Sequence, residues 1–423
     1  MTAMLSRPTA SAVPVGWIGE PRLLRGTDRD LLDHRAHLAV HGPLPALSRE
    51  ALLAGLDAVG LAGRGGAGFP LARKIRALAT GTPVLVVNGA EGEPISAKDH
   101  ALLSRVPHLV LDGASAVAGI IGARRVLVAI TDPDLAEPVR RALAGRPDAG
   151  LFELPGLFGS RDRFVAGEAG ALIAALNGAA GVPPGRRVLP TERGVAGRPT
   201  LLSNAETFAQ VAVLARLGAA RFGSIGAAGE PGSTLLTVSG AVASPGVLEV
   251  PLGTPLAAVA TAVGAGPSQA VLVGGYHGSW LPADGNLLLS RAGLAAAGGT
   301  LGAGVLAFVG SDTCALAELV RVTQWLADQS AKQCGPCSFG LPALAADLGG
   351  LLAGRPAPAI ARHTGQLVGR GACAHPDGAV RFVRSGLAAL ADELGVHRAY
   401  GGCRRSDRGQ LATVRPLALR GLA

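Results

Sequence analysis

Residues 60–100 read GLAGRGGAGFPLARKIRALATGTPVLVVNGAEGEPISAKDH. Within this stretch a glycine loop leads into a short helical pattern, LARKIRAL, and then into VLVV (84–87), a continuous apolar run bounded by polar and turn residues. Such a run suits a strand covered on both faces, as in a parallel sheet. VLVAI (126–130) repeats the pattern, and helical periodicity lies between and after the two runs, around 104–122 and 135–144. Ahead of the loop, SREALLAGLDAVG (48–60) places Leu52, Leu53 and Leu56 on one side behind a Ser48 cap. Alternating strand and helix signals predict an open α/β sheet over about 41–230.

Composition narrows the class. The chain has 423 residues, 48% apolar and 16% charged, which excludes a disordered protein and allows two or three packed domains. Five cysteines in this length argue against a secreted disulfide scaffold. The 39 basic and 30 acidic residues give a net charge of +9, but nearly all of it is scattered Arg, and aromatics are only 3%. A clustered basic stripe with interleaved aromatics is missing, so a nucleic-acid partner is not expected. The N-terminus lacks an apolar core of secretory length. The uncharged stretch Ala292–Ser311 is broken by six glycines and ends in a strand-like run, Val305–Val309. It reads as buried strand and loops rather than a membrane helix, so no membrane insertion and a cytoplasmic location are expected.

Outside 41–230 the character changes. Residues 1–40 form a polar, Pro- and Arg-bearing extension. Over 231–310, STLLTVSG, GVLEVPLG and QAVLVGG are brief strands around one helix, TPLAAVATAVGA. Over 311–400 everything reads helical, from a cap at Ser311 or Asp312 to a last helix opening at Pro376 and running through Val380, Val383, Leu387, Leu390 and Leu394. Residues 401–423 form a tail.

Two motifs mislead when taken alone. Gly63 to Gly68 satisfies G-x-G-x-x-G, but a helix precedes it and Phe69-Pro70 follows, whereas the dinucleotide fingerprint needs a strand before and a helix at once after. What survives is a run of amides without obstructing side chains, suited to a phosphate or a flat ring. Cys334-Gly335-Pro336-Cys337 matches a thioredoxin dithiol, yet helix pattern rather than strand leads into it. Lysine occurs three times in the chain, and Lys74 and Lys98 both fall in 60–100. Amid so much Arg, a retained Lys points to a need for a compact ammonium. Lys74 is placed to meet a phosphate, and Asn88 stands just past VLVV, where open α/β sheets collect ligands.

GLAGRGGAGFPLARK (60–74), VVNGAEGEPISAKDH (86–100), FVAGEAGALIAALNG (164–178) and GVAGRPTLLSNAET (194–207) resemble, in order, four motifs of one family. It is the family of the NADH-binding, FMN-carrying subunit of respiratory complex I, shared with NAD-linked hydrogenases and formate dehydrogenases. The resemblance covers about 41–400. It implies a Rossmann-like FMN-binding α/β domain, a ubiquitin-like (β-grasp, SLBB) domain and an iron–sulfur helical bundle. For FMN it implies Gly65, Gly66, Lys74, Asn88, Glu91, Glu168, Ser203 and Asn204. For the pyridine nucleotide, NAD(P)H, it implies Phe69 and Glu93, with Glu93 and Glu168 closest to the chemistry.

The chain departs from the family pattern at several points. The second acid of the family's Gly-Glu-Glu is Ala169, its preceding Tyr is Phe164, and the aromatic run after the loop lysine is replaced by Ile75, Arg76 and Ala77. An acid there bonds a ribose 2′-hydroxyl and repels a 2′-phosphate, so Ala169 leaves the choice of NADH or NADPH open. The resemblance also implies a four-iron cluster, a 4Fe–4S centre held by soft thiolates. Cys334, Cys337 and Cys373 match three ligands, while Ala331 stands at the first position. Cys314 lies about 25 Å back along a helix and is set aside. Cys403 is the expected fourth ligand, because the residues after Leu394, if nearly extended, return about 30 Å. A non-cysteine fourth ligand (His375 among them), zinc on the same thiolates, and a metal-free bundle are the alternatives.

The expectation is therefore a flavin- and iron–sulfur-dependent electron-transfer subunit. It oxidises a pyridine nucleotide and delivers single electrons to other redox subunits or a ferredoxin-like protein. A redox-inactive binding scaffold and a flavoprotein fed by ferredoxin are the alternatives.

Overall fold

A computed structural model of the chain describes residues 4–5, 13–156, 164–185, 188–284, 286–407 and 409–411. A four-stranded parallel sheet lies at its front, in the order Phe152–Glu153, Val126–Ile130, Val84–Gly89, Thr200–Asn204. Val84, Leu85, Val86 and Val87 are fully buried, as are Val126 and Val128, which is why both strands read as unbroken apolar runs. Val84–Gly89 is the switch strand. One of its neighbours is the next strand in sequence, and the other arrives more than a hundred residues later. Crossovers that diverge from such a strand leave a crevice at the carboxyl ends, here at Asn88 and Asn204, which are register partners.

The helices Pro107–Ile121 and Ala205–Phe222 cover one face of this sheet. Gly113 sets their separation: a β-carbon there would lie 1.8 Å from the Phe208 carbonyl oxygen. Buried Asp112 takes His37 at 2.8 Å, Arg146 at 2.7 Å and Arg216 at 2.5 Å. These partners outweigh the burial that opposes its charge and hold its carboxyl well below the usual range.

The second sheet is mixed. In its centre Gly246–Pro251 pairs antiparallel with Ser233–Gly240, which pairs parallel with Val305–Gly310, followed by Ser268–Val273 and Ser279–Leu281. The extension ahead of residue 41 contributes to this sheet. Val15–Trp17 adds a parallel strand beside Gly246–Pro251, and buried Glu249 accepts the amides of Arg22, Leu23 and Leu24. Sequence pattern alone presents this stretch as a polar lead-in, because its partner lies far along the chain.

Among the described residues five α-helices follow: Ala315–Asp328, Leu341–Leu352, Ile360–Leu367, His375–Ala389 and Ala391–Tyr400. The first is capped by Cys314, whose sulfur accepts from the Ala317 amide, rather than by Ser311 or Asp312. The expected last helix is two, broken at Leu390 (φ −106°, ψ 24°). No helix among the described residues is long and apolar enough to cross a membrane.

Candidate functional site

The crevice is built from loops that follow two strands. At the end of Val84–Gly89 the Asn88 amide donates to the Gly167 carbonyl at 2.9 Å, and its Oδ1 accepts from the Ala90 amide at 3.0 Å. Asn204, at the end of Thr200–Asn204, is the hub. Its Oδ1 accepts from Lys98 Nζ at 2.9 Å, and its Nδ2 donates to Asp99 at 2.6 Å and to the Asn88 carbonyl at 3.4 Å. Lys98 also meets Asp99 at 2.9 Å and Glu206 at 3.3 Å. Burial works against its charge, but Asp99, Glu206 and Glu91 outweigh it and hold the ammonium above the ordinary lysine range. Asp99 and Glu206, which sequence reasoning missed, fix the orientation of Asn204. The retained Lys98 was the signal that such partners existed.

The glycine loop closes one side. Gly65 lies against Asn204 and Gly66 against the Gly302 backbone of the second sheet, while both keep exposed surface. Arg64 anchors the loop: its amide donates to Thr207 Oγ1 at 2.9 Å and its guanidinium to the Ser233 carbonyl at 3.2 Å. Half-buried Lys74 reaches back to the Leu202 carbonyl, with no carboxylate in ion-pair reach among the described residues, and burial lowers its pKa. Phe69 is 47% exposed with Arg73 stacked at 5.4 Å, and Ser203 is buried in its strand.

The three carboxylates differ. Glu91 caps the helix Lys98–Arg105, accepting from the Asp99 and His100 amides at 3.2 Å each and from the Ser96 hydroxyl. Burial, then the Asp99 carboxylate, push its pKa up. Glu168 caps Ala169–Leu176 through the Ala171 amide at 2.8 Å. Glu93 is different. It is buried, its Oε2 accepts from the Tyr276 amide of the second sheet at 2.7 Å, and its Oε1 has no partner among the described residues. Burial pushes its pKa up to about 8.

Between crevice and bundle runs a packed aromatic path. Gly92 meets the Phe164 carbonyl so closely that no side chain fits there. The Phe164 ring touches His277, Trp325 and His375 at 4.5, 5.5 and 5.6 Å. His375 directs Nε2 to the Leu326 carbonyl at 2.9 Å and Nδ1 to His277 at 3.0 Å, so neither nitrogen is offered to a metal. Two residues before it is Cys373.

Cys334 and Cys337 begin a tight π-helical turn, with the Cys337 amide on the Cys334 carbonyl at 3.1 Å. Burial, then Cys334 and Cys373, push the Cys337 thiol up to about 12, so three sulfurs share one locality. The buried Ser330 hydroxyl stands beside Cys337 and counteracts that rise. Three soft donors with a hydroxyl beside them fit a thiolate-held cluster.

Cys403 does not join them, which corrects the expected ligand set. Ala391–Tyr400 is helical and advances only about 1.5 Å per residue, so the chain cannot make the extended return that Cys403 needs. Cys403 instead stands with Cys314, at the start of the Ala315–Asp328 helix, while Cys334 follows its end. The length of that helix alone separates them by about 20 Å.

Two family models match: the Nuo51 FMN-binding domain over residues 56–213, and the NADH-ubiquinone oxidoreductase-F iron–sulfur binding region over 317–397. The F subunit of the NADH-quinone oxidoreductase of Streptomyces coelicolor is 30% identical over 396 residues, 88% of each chain. The chain belongs to the family of NADH-quinone oxidoreductase F subunits. The corresponding F subunit of Mycobacterium tuberculosis is 32% identical over 249 residues, so the match spans 57% of this chain and 56% of that relative. The HndC subunit of the NADP-reducing hydrogenase of Solidesulfovibrio fructosivorans is 30% identical over 305 residues, 66% of this chain and 61% of its own length. Among solved structures, an NAD+-reducing NiFe hydrogenase in its air-oxidised state superposes with a TM-score of 0.78 at 28% identity, covering 94% of this chain and 71% of the other. The chain thus carries the flavin-binding and iron–sulfur-binding parts of the F-subunit family, on a mixed α/β fold with a parallel sheet.

Proposed function

We propose that the chain is the pyridine-nucleotide-oxidising, electron-transferring subunit of a larger cytoplasmic assembly. The observation that carries this reading is the packing that leads from the loops of the Asn88–Asn204 crevice to His375, Phe164 and Trp325, the last two in the same apolar cluster as Cys334 and Cys337. FMN held in that crevice would supply the conversion between a two-electron hydride and single electrons, which a cluster in the bundle would pass onward. The residues supply position and charge. Lys74, a half-buried ammonium with no carboxylate partner among the described residues, is matched by the flavin phosphate. Asn88, Glu91, Ser203 and Asn204 shape the ring side, and the naked Gly65-Gly66 backbone admits the ring closely. Glu168, which caps the Ala169–Leu176 helix, would help hold the flavin. Phe69 and Glu93 face the nucleotide, with Glu93 neutral at pH 7. Cys334, Cys337 and Cys373 hold the cluster, and the Ser330 oxygen is the fourth donor. Other redox subunits or a ferredoxin-like protein take the electrons.

We divide the chain into an N-terminal extension (1–40), an FMN-binding domain (41–230), a β-grasp domain of SLBB type (231–310), the iron–sulfur bundle (311–400) and a tail (401–423). The strand order of the second sheet and the helix Leu256–Val263 between Gly246–Pro251 and Ser268–Val273 support the β-grasp assignment. Anaerobic titration of the FMN-loaded protein with NADH and with NADPH tests the reading. Bleaching of the flavin absorbance by either, with a cluster EPR signal following, supports it. A flavin reduced only by ferredoxin, or a colourless protein, overturns it in favour of the corresponding alternative.

A further inference from the structure

Away from the crevice, Cys314, Glu393, His397 and Cys403 bring their donor atoms within 4.8 Å of one another. The first three are buried and Cys403 is partly so. We propose that these four residues form a second metal centre, a structural zinc site that ties the tail to the bundle. It is independent of the three-thiol locality and of the flavin reading.

The donor set fits tetrahedral Zn2+: two sulfurs, one imidazole nitrogen and one carboxylate oxygen. Cys314 Sγ and His397 Nε2 are 3.5 Å apart. Zn–S of about 2.3 Å and Zn–N of about 2.0 Å at a tetrahedral angle give about 3.5 Å. Glu393 Oε1 stands 3.9 Å from His397 Nε2, within a small side-chain adjustment of the about 3.4 Å such a site needs. Glu393 and His397 are four apart on Ala391–Tyr400 and so share a helix face.

The surroundings are those of a ligated imidazole. His397 Nδ1–H donates to the Leu352 carbonyl at 2.7 Å, which fixes the tautomer and presents the Nε2 lone pair to the cluster. The Ala317 amide donates to Cys314 Sγ at 3.3 Å and fixes the direction in which the sulfur points. Two thiolates, a carboxylate and a neutral imidazole around Zn2+ sum to one negative charge. Arg405, at 2.9 Å from Glu393 Oε2, neutralises it. Loading replaces two thiol protons, which leave to solvent, with Zn–S bonds, and no redox change is involved.

The site joins three parts of the chain. Cys314 opens the first bundle helix, Glu393 and His397 lie on the last, and Cys403 lies beyond it. The tail is already aligned there by the Cys314 amide on the Ser406 carbonyl at 2.7 Å and the Ser406 amide on the Asp312 carbonyl at 2.8 Å. Closing a loop of this length with metal stabilises the docked tail.

Full-length protein, purified without chelator and incubated with zinc alone, is to be measured for zinc by mass spectrometry and by zinc-edge X-ray absorption. We expect a single zinc per chain with two sulfur and two nitrogen or oxygen neighbours. The zinc should be retained in Cys334→Ser, which breaks the three-thiol locality, and lost in Cys314→Ser/Cys403→Ser and in His397→Ala. FMN content serves as the folding control for each variant. Zinc that survives the double variant, no zinc in the wild type, or a Cys314–Cys403 disulfide in the purified chain's mass each overturns the proposal.

Discussion

Replacing Glu93 by Gln probes the joint between the parallel sheet and the second sheet. Glu93 is buried, holds the Tyr276 amide with one oxygen and leaves the other without a partner among the described residues. Its pKa in the fold is pushed up to about 8, from an ordinary value of 4.5. The sign follows directly. A carboxyl raised in the native state binds a proton that the unfolded chain has already released, so its contribution to stability is complete below pH 4.5 and is lost as pH rises through 8. Integrated from pH 5 to pH 9, a shift of this size costs the wild type about 4 kcal/mol, at about 1.4 kcal/mol per unit. Gln retains the oxygen that accepts from Tyr276 and cannot ionise. Thermal unfolding of both proteins every half pH unit, at fixed FMN, should show similar Tm values near pH 5. The variant should pull ahead steadily toward pH 9, and the variant-minus-wild-type difference removes the titration of all other groups. Parallel Tm profiles across this range would refute the reasoning, as would a wild type that gains on the variant at high pH.

Lys74→Met should weaken FMN binding roughly tenfold to a hundredfold, the loss of one charged contact of about 1.5 to 3 kcal/mol, while leaving the apoprotein's Tm unchanged or raised. Fluorescence titration with FMN and a melt without it check the two halves. Cys373→Ser should abolish the cluster EPR signal and lower iron content, whereas Cys403→Ser should leave both intact. Ser330→Ala should alter the shape or potential of that signal while the flavin stays bound. Gly113→Ala places a β-carbon 1.8 Å from the Phe208 carbonyl oxygen and should destabilise by about 3 kcal/mol, measured as a lowered denaturation midpoint.

What the sequence disclosed follows from range. VLVV and VLVAI announced their strands because burial on both faces leaves a continuous apolar run, and Ser48 announced its helix because a cap is local. Asn88 was legible as a strand-end residue, but its pairing with Asn204 depends on a register between segments more than a hundred residues apart. Lys98 stood out by composition, whereas Asp99 and Glu206 look like ordinary helix-start acids until the fold brings them to it. The error over Cys403 has a similar origin. Reach estimates admit any path the chain could take, and whether residues 391–400 extend or coil is decided by packing of the bundle. Cys314 is set aside in the sequence for its distance along the helix from the Ala331 position, and a linear search does not show the company it has in the fold.

The arm around Val15–Trp17 has a consequence for biosynthesis. Its docking partner Glu249 lies 227 residues downstream of Arg22, so this arm is synthesised long before the strand on which it docks. Until the Gly246–Pro251 strand has emerged, the amides of Arg22, Leu23 and Leu24 lack their acceptor Glu249 and Val15–Trp17 lacks its parallel partner, so the nascent chain waits with that edge unpaired. Completion of that edge therefore commits both ends of the first 250 residues in a single late event.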